Sequence, residues 1–251
     1  MSRRVTRTAA ALLALGALAY TAWVLEVLVR TGLDPVRTYV SELAAADQPL
    51  GGLFRATDLA AGLLVLAGAL TGLAGAWRAS GGPESGSGGR TGQGPGAHGH
   101  ARRDPWALGG WIALAVFGAA TVADSRLPLS CAPTVDPVCA ARETAGLVPA
   151  THAAHAVSSS LAMTGALAAL VALTVAARRH DRRLPLARTG PVLVALELAA
   201  TAWTLAAVAA FEAGKGIWAL GAGQRLQVLL VAVWLAVLAY SLATDTREER
   251  R

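Results

Sequence analysis

The chain has 251 residues, 54% of them hydrophobic and only 15% charged, with a mean hydropathy of +0.48. A soluble domain carries roughly 25% charged residues, and one water-soluble core could not hide this much apolar side chain. The formal charge of +6 does not indicate nucleic acid, because the arginines sit between apolar runs and are not gathered on one face with aromatics.

Residues 9–29 form the first apolar run, behind the basic leader Arg3, Arg4 and Arg7. Ala17-Leu18-Ala19 would suit signal cleavage, but the run continues ten residues beyond it, so the sequence predicts a retained helix. Glu26 lies in this run four residues before Arg30, a helical spacing for an ion pair, with a proton relay as the rival role. In the connection 31–57, Asp34-Pro35 and Gln48-Pro49-Leu50-Gly51-Gly52 are turn signals. They bracket 36–46, predicted as a short interfacial helix with Ser41 and Glu42 near its middle.

The second span is 59–77, where Gly68 and Gly72 make a small-xxx-small pair suited to close helix contact. Residues 79–104 hold nine glycines among small polar residues and are predicted as a flexible cytoplasmic linker. Gly94, Gly96 and Gly99 match a GxGxxG spacing only formally, since no strand precedes them. The third span is 106–123, with Trp77 and Trp106 beside Arg78 and Arg103 as interfacial anchors. The fourth is 155–177, followed by Arg178, Arg179, Arg182, Arg183 and Arg188. The fifth is 191–211, with Glu197 about 10 Å from its start. The sixth is 226–243, and 245–251 is a charged tail.

With the N-terminus in the cytoplasm, 15 arginines and lysines fall on the cytoplasmic side and seven outside. That asymmetry predicts cytoplasmic termini in a plasma-membrane protein. It also puts the loop 125–150 outside, where thiols oxidise, so Cys131 and Cys139, the chain's two cysteines, are expected to form a disulfide.

His152, His155 and Ser159 are spaced i, i+3 and i+7 and share a helix face, with Asp124 at the same membrane surface. Asp58 and Glu212 lie at a similar level. A histidine with a carboxylate partner can activate water or a serine hydroxyl; the plainer role for these residues is to cap helix ends. A metal site on His152 and His155 could enlist the cysteines as C-x7-C-x12-H-x2-H, but its outer gaps depart from zinc spacings. No metal or cofactor is therefore expected. Glu197 is expected either to bond Thr201 or a neighbouring helix, or to serve as an ion or proton site. No Walker motif, G-x-S-x-G elbow or H-E-x-x-H pair occurs.

Tyr39-Val40-Ser41-Glu42-Leu43, the segment Asp124 to Pro128, and His152-Ala153-Ala154-His155 together resemble the DUF998 family of bacterial and archaeal integral membrane proteins, with Ala44 where a glycine would be expected. The resemblance covers most of the chain and implies a single multi-span membrane domain over 1–251, without supplying an activity. The fold class expected is all-α, a polytopic bundle of six transmembrane helices. The function expected is binding of a lipid or other small amphiphile near the outer leaflet, with no nucleic-acid partner, rather than enzymatic activity. The alternatives are a membrane-embedded hydrolase using Asp124, His152, His155 and Ser159, and a proton- or ion-coupled transporter using Glu26 and Glu197.

Overall fold

The structure is a computed structural model that describes residues 3–79, 104–180 and 184–248. Residues 80–103 of the glycine-rich stretch, with the Gly94, Gly96, Gly99 spacing, and Arg182 and Arg183 of the arginine cluster lie outside the described residues. The described residues form seven α-helices: α1 (Arg3–Tyr20), α2 (Gly51–Ala79), α3 (Pro105–Asp124), α4 (Pro137–Thr144), α5 (Ala150–His180), α6 (Pro185–Glu212) and α7 (Leu220–Glu248). Two 3₁₀ turns, Ala22–Val27 and Val40–Ala44, complete the regular structure.

Six helical stretches are long and apolar enough to cross a membrane, so the all-α, six-span expectation holds. α1 packs on α2, α2 on α3, α3 on α5, α5 on α6, α6 on α7, and α7 back on α1, which closes a ring. Leu13, Leu114, Phe117, Leu170, Trp234 and Leu235 fill its interior. Leu18, Val157 and Leu205 point outward, giving the ring the apolar outer belt that a bilayer covers. Trp106 stands at the start of α3 with the Arg179 guanidinium 5.5 Å from its ring, an arrangement suited to the headgroup region.

Several boundaries differ from expectation, and each difference involves a polar residue drawn inward. α1 stops at Tyr20 and the chain tightens into the 3₁₀ turn Ala22–Val27. With three residues per turn, Trp23 and Glu26 share a side; Glu26 is buried while Val24, Leu25, Val27 and Leu28 are exposed. α5 begins at Ala150 and α7 at Leu220, each several residues before its predicted span. Within 36–46 the short helix is the 3₁₀ turn Val40–Ala44, with Ser41 and Glu42 in it as expected; it folds over the end of the ring, and Glu42 is 0% exposed.

Small residues set the helix spacing. Gly68 lies against Leu13 of α1 and Gly72 against Trp111 of α3, so the predicted pair serves two different helices. The tightest crossing uses other glycines. A Cβ on Gly118 of α3 would lie 2.6 Å from the backbone N of Leu66, and one on Gly62 of α2 would lie 2.8 Å from that of Val122. Because these obstacles are backbone atoms, Gly118→Val is expected to part α2 from α3 at a cost of about 1–3 kcal/mol or more. Thermal unfolding in detergent measures this, and an unchanged midpoint would contradict the crossing.

Candidate functional site

The chain reverses direction at each connection, so α1, α3 and α6 end where α2, α5 and α7 begin. The polar residues of interest gather at that shared end. Asp136 caps α4 through the Val138 amide (2.9 Å), followed by Pro137, and so positions Cys139, which is bonded to Cys131 as expected. With both thiols joined to each other, the cysteines are not available to the C-x7-C-x12-H-x2-H arrangement, and no group of three potential metal ligands occurs among the described residues.

The two histidines, one turn apart on α5, serve different partners. His152, 1% exposed, turns toward the disulfide loop. Its Nδ1 accepts from the Ser130 amide (3.1 Å) and lies 2.9 Å from the Ser130 hydroxyl. The ring proton therefore sits on Nε2, 3.3 Å from Glu143 Oε1. His152 thus ties the loop to the helix and is no part of a site with Asp124.

His155 does meet Asp124. Its Nδ1 lies 3.0 Å from the Leu127 carbonyl and 3.2 Å from Asp124 Oδ1, both acceptors, so it carries a proton. Its Nε2 lies 3.2 Å from the Ser159 hydroxyl, which donates to Asp124 Oδ1 at 2.9 Å. Ser158 also donates to Asp124. One carboxylate oxygen at the end of α3 thus collects three groups of α5, pinning two helices that cross nearby. The helical spacing marked His155 and Ser159; Ser158 was missed because serine in an apolar helix gives no signal of its own.

Ser159 and Asp124 face a cavity of about 130 Å³ enclosed by α1, α2, α3, α5, α7 and both 3₁₀ turns. Tyr20, Trp23, Leu43, Phe54, Met163 and Val228 form its apolar side. Its polar side holds Asp58, Asp124, Ser41, Ser159, Gln224 and Gln227. Asp58 meets no hydrogen-bond donor among the described residues. The Trp23 indole N–H is buried without an acceptor among the described residues. Gln227, 6% exposed, uses its amide nitrogen on Thr201 (2.9 Å), and its amide oxygen meets no donor among the described residues. Glu212, predicted at the same level, is exposed and does not line the cavity.

A family model described as "Protein of unknown function (DUF998)" matches residues 9–91 and 96–241. The chain belongs to the DUF998 family. No curated protein and no solved structure matches it. The matched region of this DUF998 protein contains every residue of the cavity wall, so the cavity belongs to the family domain rather than to an addition to it.

Three further acidic residues of this DUF998 chain differ in how they are satisfied. Glu26 does not pair with Arg30, because the 3₁₀ turn breaks the helical i, i+4 relation. Its carboxylate takes the Arg225 guanidinium in a two-pronged contact, 2.7 Å at Nε and 2.7 Å at Nη2. Arg225 also donates to the Thr38 carbonyl at 2.8 Å. Glu197 is 0% exposed and outside the cavity lining; Gln227 lies beside it, but no donor reaches either carboxylate oxygen in bonding geometry. The expected partner Thr201 accepts from Gln227 and does not bond Glu197.

Glu42, in the connection before α2, accepts from the Thr134 amide (2.8 Å) and from the Thr134 hydroxyl, joining the Val40–Ala44 turn to the disulfide loop. Burial pushes its carboxyl above the usual carboxylate range, outweighing the opposing pull of Thr134, the Tyr39 backbone and the Arg225 charge. The folded protein then holds this proton to higher pH than the unfolded chain. Stability is therefore expected to fall as pH rises from about 4 through the raised value. Glu42→Gln should flatten that decline in a series of melting temperatures against pH; equal slopes in the two proteins would refute it.

Proposed function

We propose that this DUF998 protein binds the polar end of a lipid or other small amphiphile in the cavity beneath Val40–Ala44, on the outer-leaflet side of the plasma membrane, with both termini in the cytoplasm. The divided wall of the cavity carries this reading. Polar groups left unpaired within a membrane bundle are costly unless a polar guest or water meets them, and the aromatic and aliphatic side suits hydrocarbon. At roughly 30 Å³ per water, a volume of about 130 Å³ holds a headgroup fragment or a few waters rather than a whole acyl chain. The depth agrees, since Asp58 lies about 10 Å along α2 from Gly51, near the boundary of headgroups and chains. The outer side is supported by the arginine asymmetry and by a disulfide that persists in oxidising compartments.

Ser41 lies on the cavity wall in the Val40–Ala44 turn rather than on a spanning helix, so Ser41→Phe is expected to fill the space. Lipid analysis of protein purified in mild detergent should find a species retained by the parent protein and lost from Ser41→Phe. The same lipid profile in both would refute the reading.

A hydrolase is the second reading, favoured by the contacts Ser159–His155 (3.2 Å) and His155–Asp124 (3.2 Å) beside the cavity. It is weaker because Ser159 donates to Asp124 rather than to the imidazole, and Ser159 lies inside a helix whose amides are engaged along the helix axis. A fluorophosphonate probe that labels the parent protein but not Ser159→Ala would establish it, and absence of labelling would remove it.

A further inference from the structure

The charge of the cavity wall specifies the guest more narrowly. Its lining contains two carboxylates, Asp58 and Asp124, and no arginine, lysine or histidine. These two are not equivalent. Asp124 is compensated by His155, Ser158 and Ser159, whereas no donor meets Asp58. A carboxylate in such a place stays an anion only beside a positive charge, which a cationic guest would supply. The arginines of α2 and α7 at this end are engaged elsewhere: Arg225 is committed to Glu26 and the Thr38 carbonyl, and Arg55 donates to the carbonyls of Ala44 (2.6 Å) and Ala45 (3.3 Å).

A second observation, separate from the acidic pair, also marks a guest. Gln227, nine-tenths buried, lines the cavity; its amide nitrogen is spent on Thr201 and its amide oxygen meets no donor among the described residues. An ammonium group has three donors and no acceptor, so it could engage Asp58 and Gln227 together while resting on the Tyr20 and Trp23 rings. The orphaned Trp23 N–H would then meet an oxygen carried next to the amine. The geometry points to a primary ammonium group with a neighbouring oxygen, as in an ethanolamine headgroup or a free amino alcohol, held with Asp58 as its counter-ion. This inference rests on the headgroup-binding reading above and names the headgroup.

The test uses the full chain in nanodiscs and in an amine-free detergent buffer. Native mass spectrometry compares retention of phosphatidylethanolamine with that of phosphatidylcholine and phosphatidylglycerol, and free ethanolamine is tested as a competitor. The expected result is at least tenfold preference for the ethanolamine lipid in the parent protein, abolished in Asp58→Asn. Because no donor among the described residues meets Asp58, that variant should unfold at a temperature no lower than the parent. Retention of free ethanolamine in place of the lipid would support the same chemistry with a soluble amine as its source. Equal retention of ethanolamine and choline lipids by the parent protein would overturn the inference even if Asp58→Asn failed to fold. If Ser41→Phe lost a lipid while Asp58→Asn kept it, the ammonium assignment would fail and the headgroup reading would stand. If Ser41→Phe retained everything, both would fail.

Discussion

Arg225→Met is expected to cost about 3–5 kcal/mol, the largest effect of any single substitution considered for this protein. Glu26 and Arg225 are both buried, and the guanidinium reaches the carboxylate with two donors at 2.7 Å. Removing the cation strands a carboxylate between the 3₁₀ turn and α7, and it also frees the Thr38 carbonyl that Arg225 holds at 2.8 Å. The double variant Glu26→Met, Arg225→Met removes both charges and should recover most of the loss, since an apolar pair of similar size avoids the desolvation cost. Thermal unfolding in detergent decides it. A single variant within about 0.5 kcal/mol of the parent, or a double variant no better than the single, would contradict the buried pair.

Asp124→Ala is expected to be the second most damaging change, at about 3 kcal/mol, because one substitution leaves His155, Ser158 and Ser159 without their common acceptor. Ser159→Ala removes only one donor from that hub and should cost about 1 kcal/mol. Asp124→Asn should fall between them, since an amide oxygen can still accept. The ordering is the prediction: equal losses for Asp124→Ala and Ser159→Ala would mean that Asp124 does not join α3 to α5.

The bundle itself was readable from the sequence because membrane crossing depends on the length and apolarity of single segments, which are local properties. The disulfide was readable for a related reason, since both cysteines fall in one short connection. The polar site was read only in part. Helical spacing correctly joined His155 to Ser159, but it grouped His152 with them, although that ring turns to Ser130 and Glu143. Arg225 reads as a loop charge, because a lone arginine at the edge of an apolar run looks like a span boundary. Its partner stands 199 positions away, and no local pattern could reveal it.

The sequence by itself determined that this protein has six helices long and apolar enough to cross a membrane, that it belongs among DUF998 proteins, and which end of the bundle carries the polar residues. The tertiary structure decided which of those residues meet. It closed the ring through α7 against α1, folded Val40–Ala44 over the end, satisfied Glu26 and Asp124, and left Asp58 facing a cavity without a donor. The physical reason is that burial of an apolar face can be counted along one segment, whereas satisfaction of a buried charge depends on what the other helices bring to it.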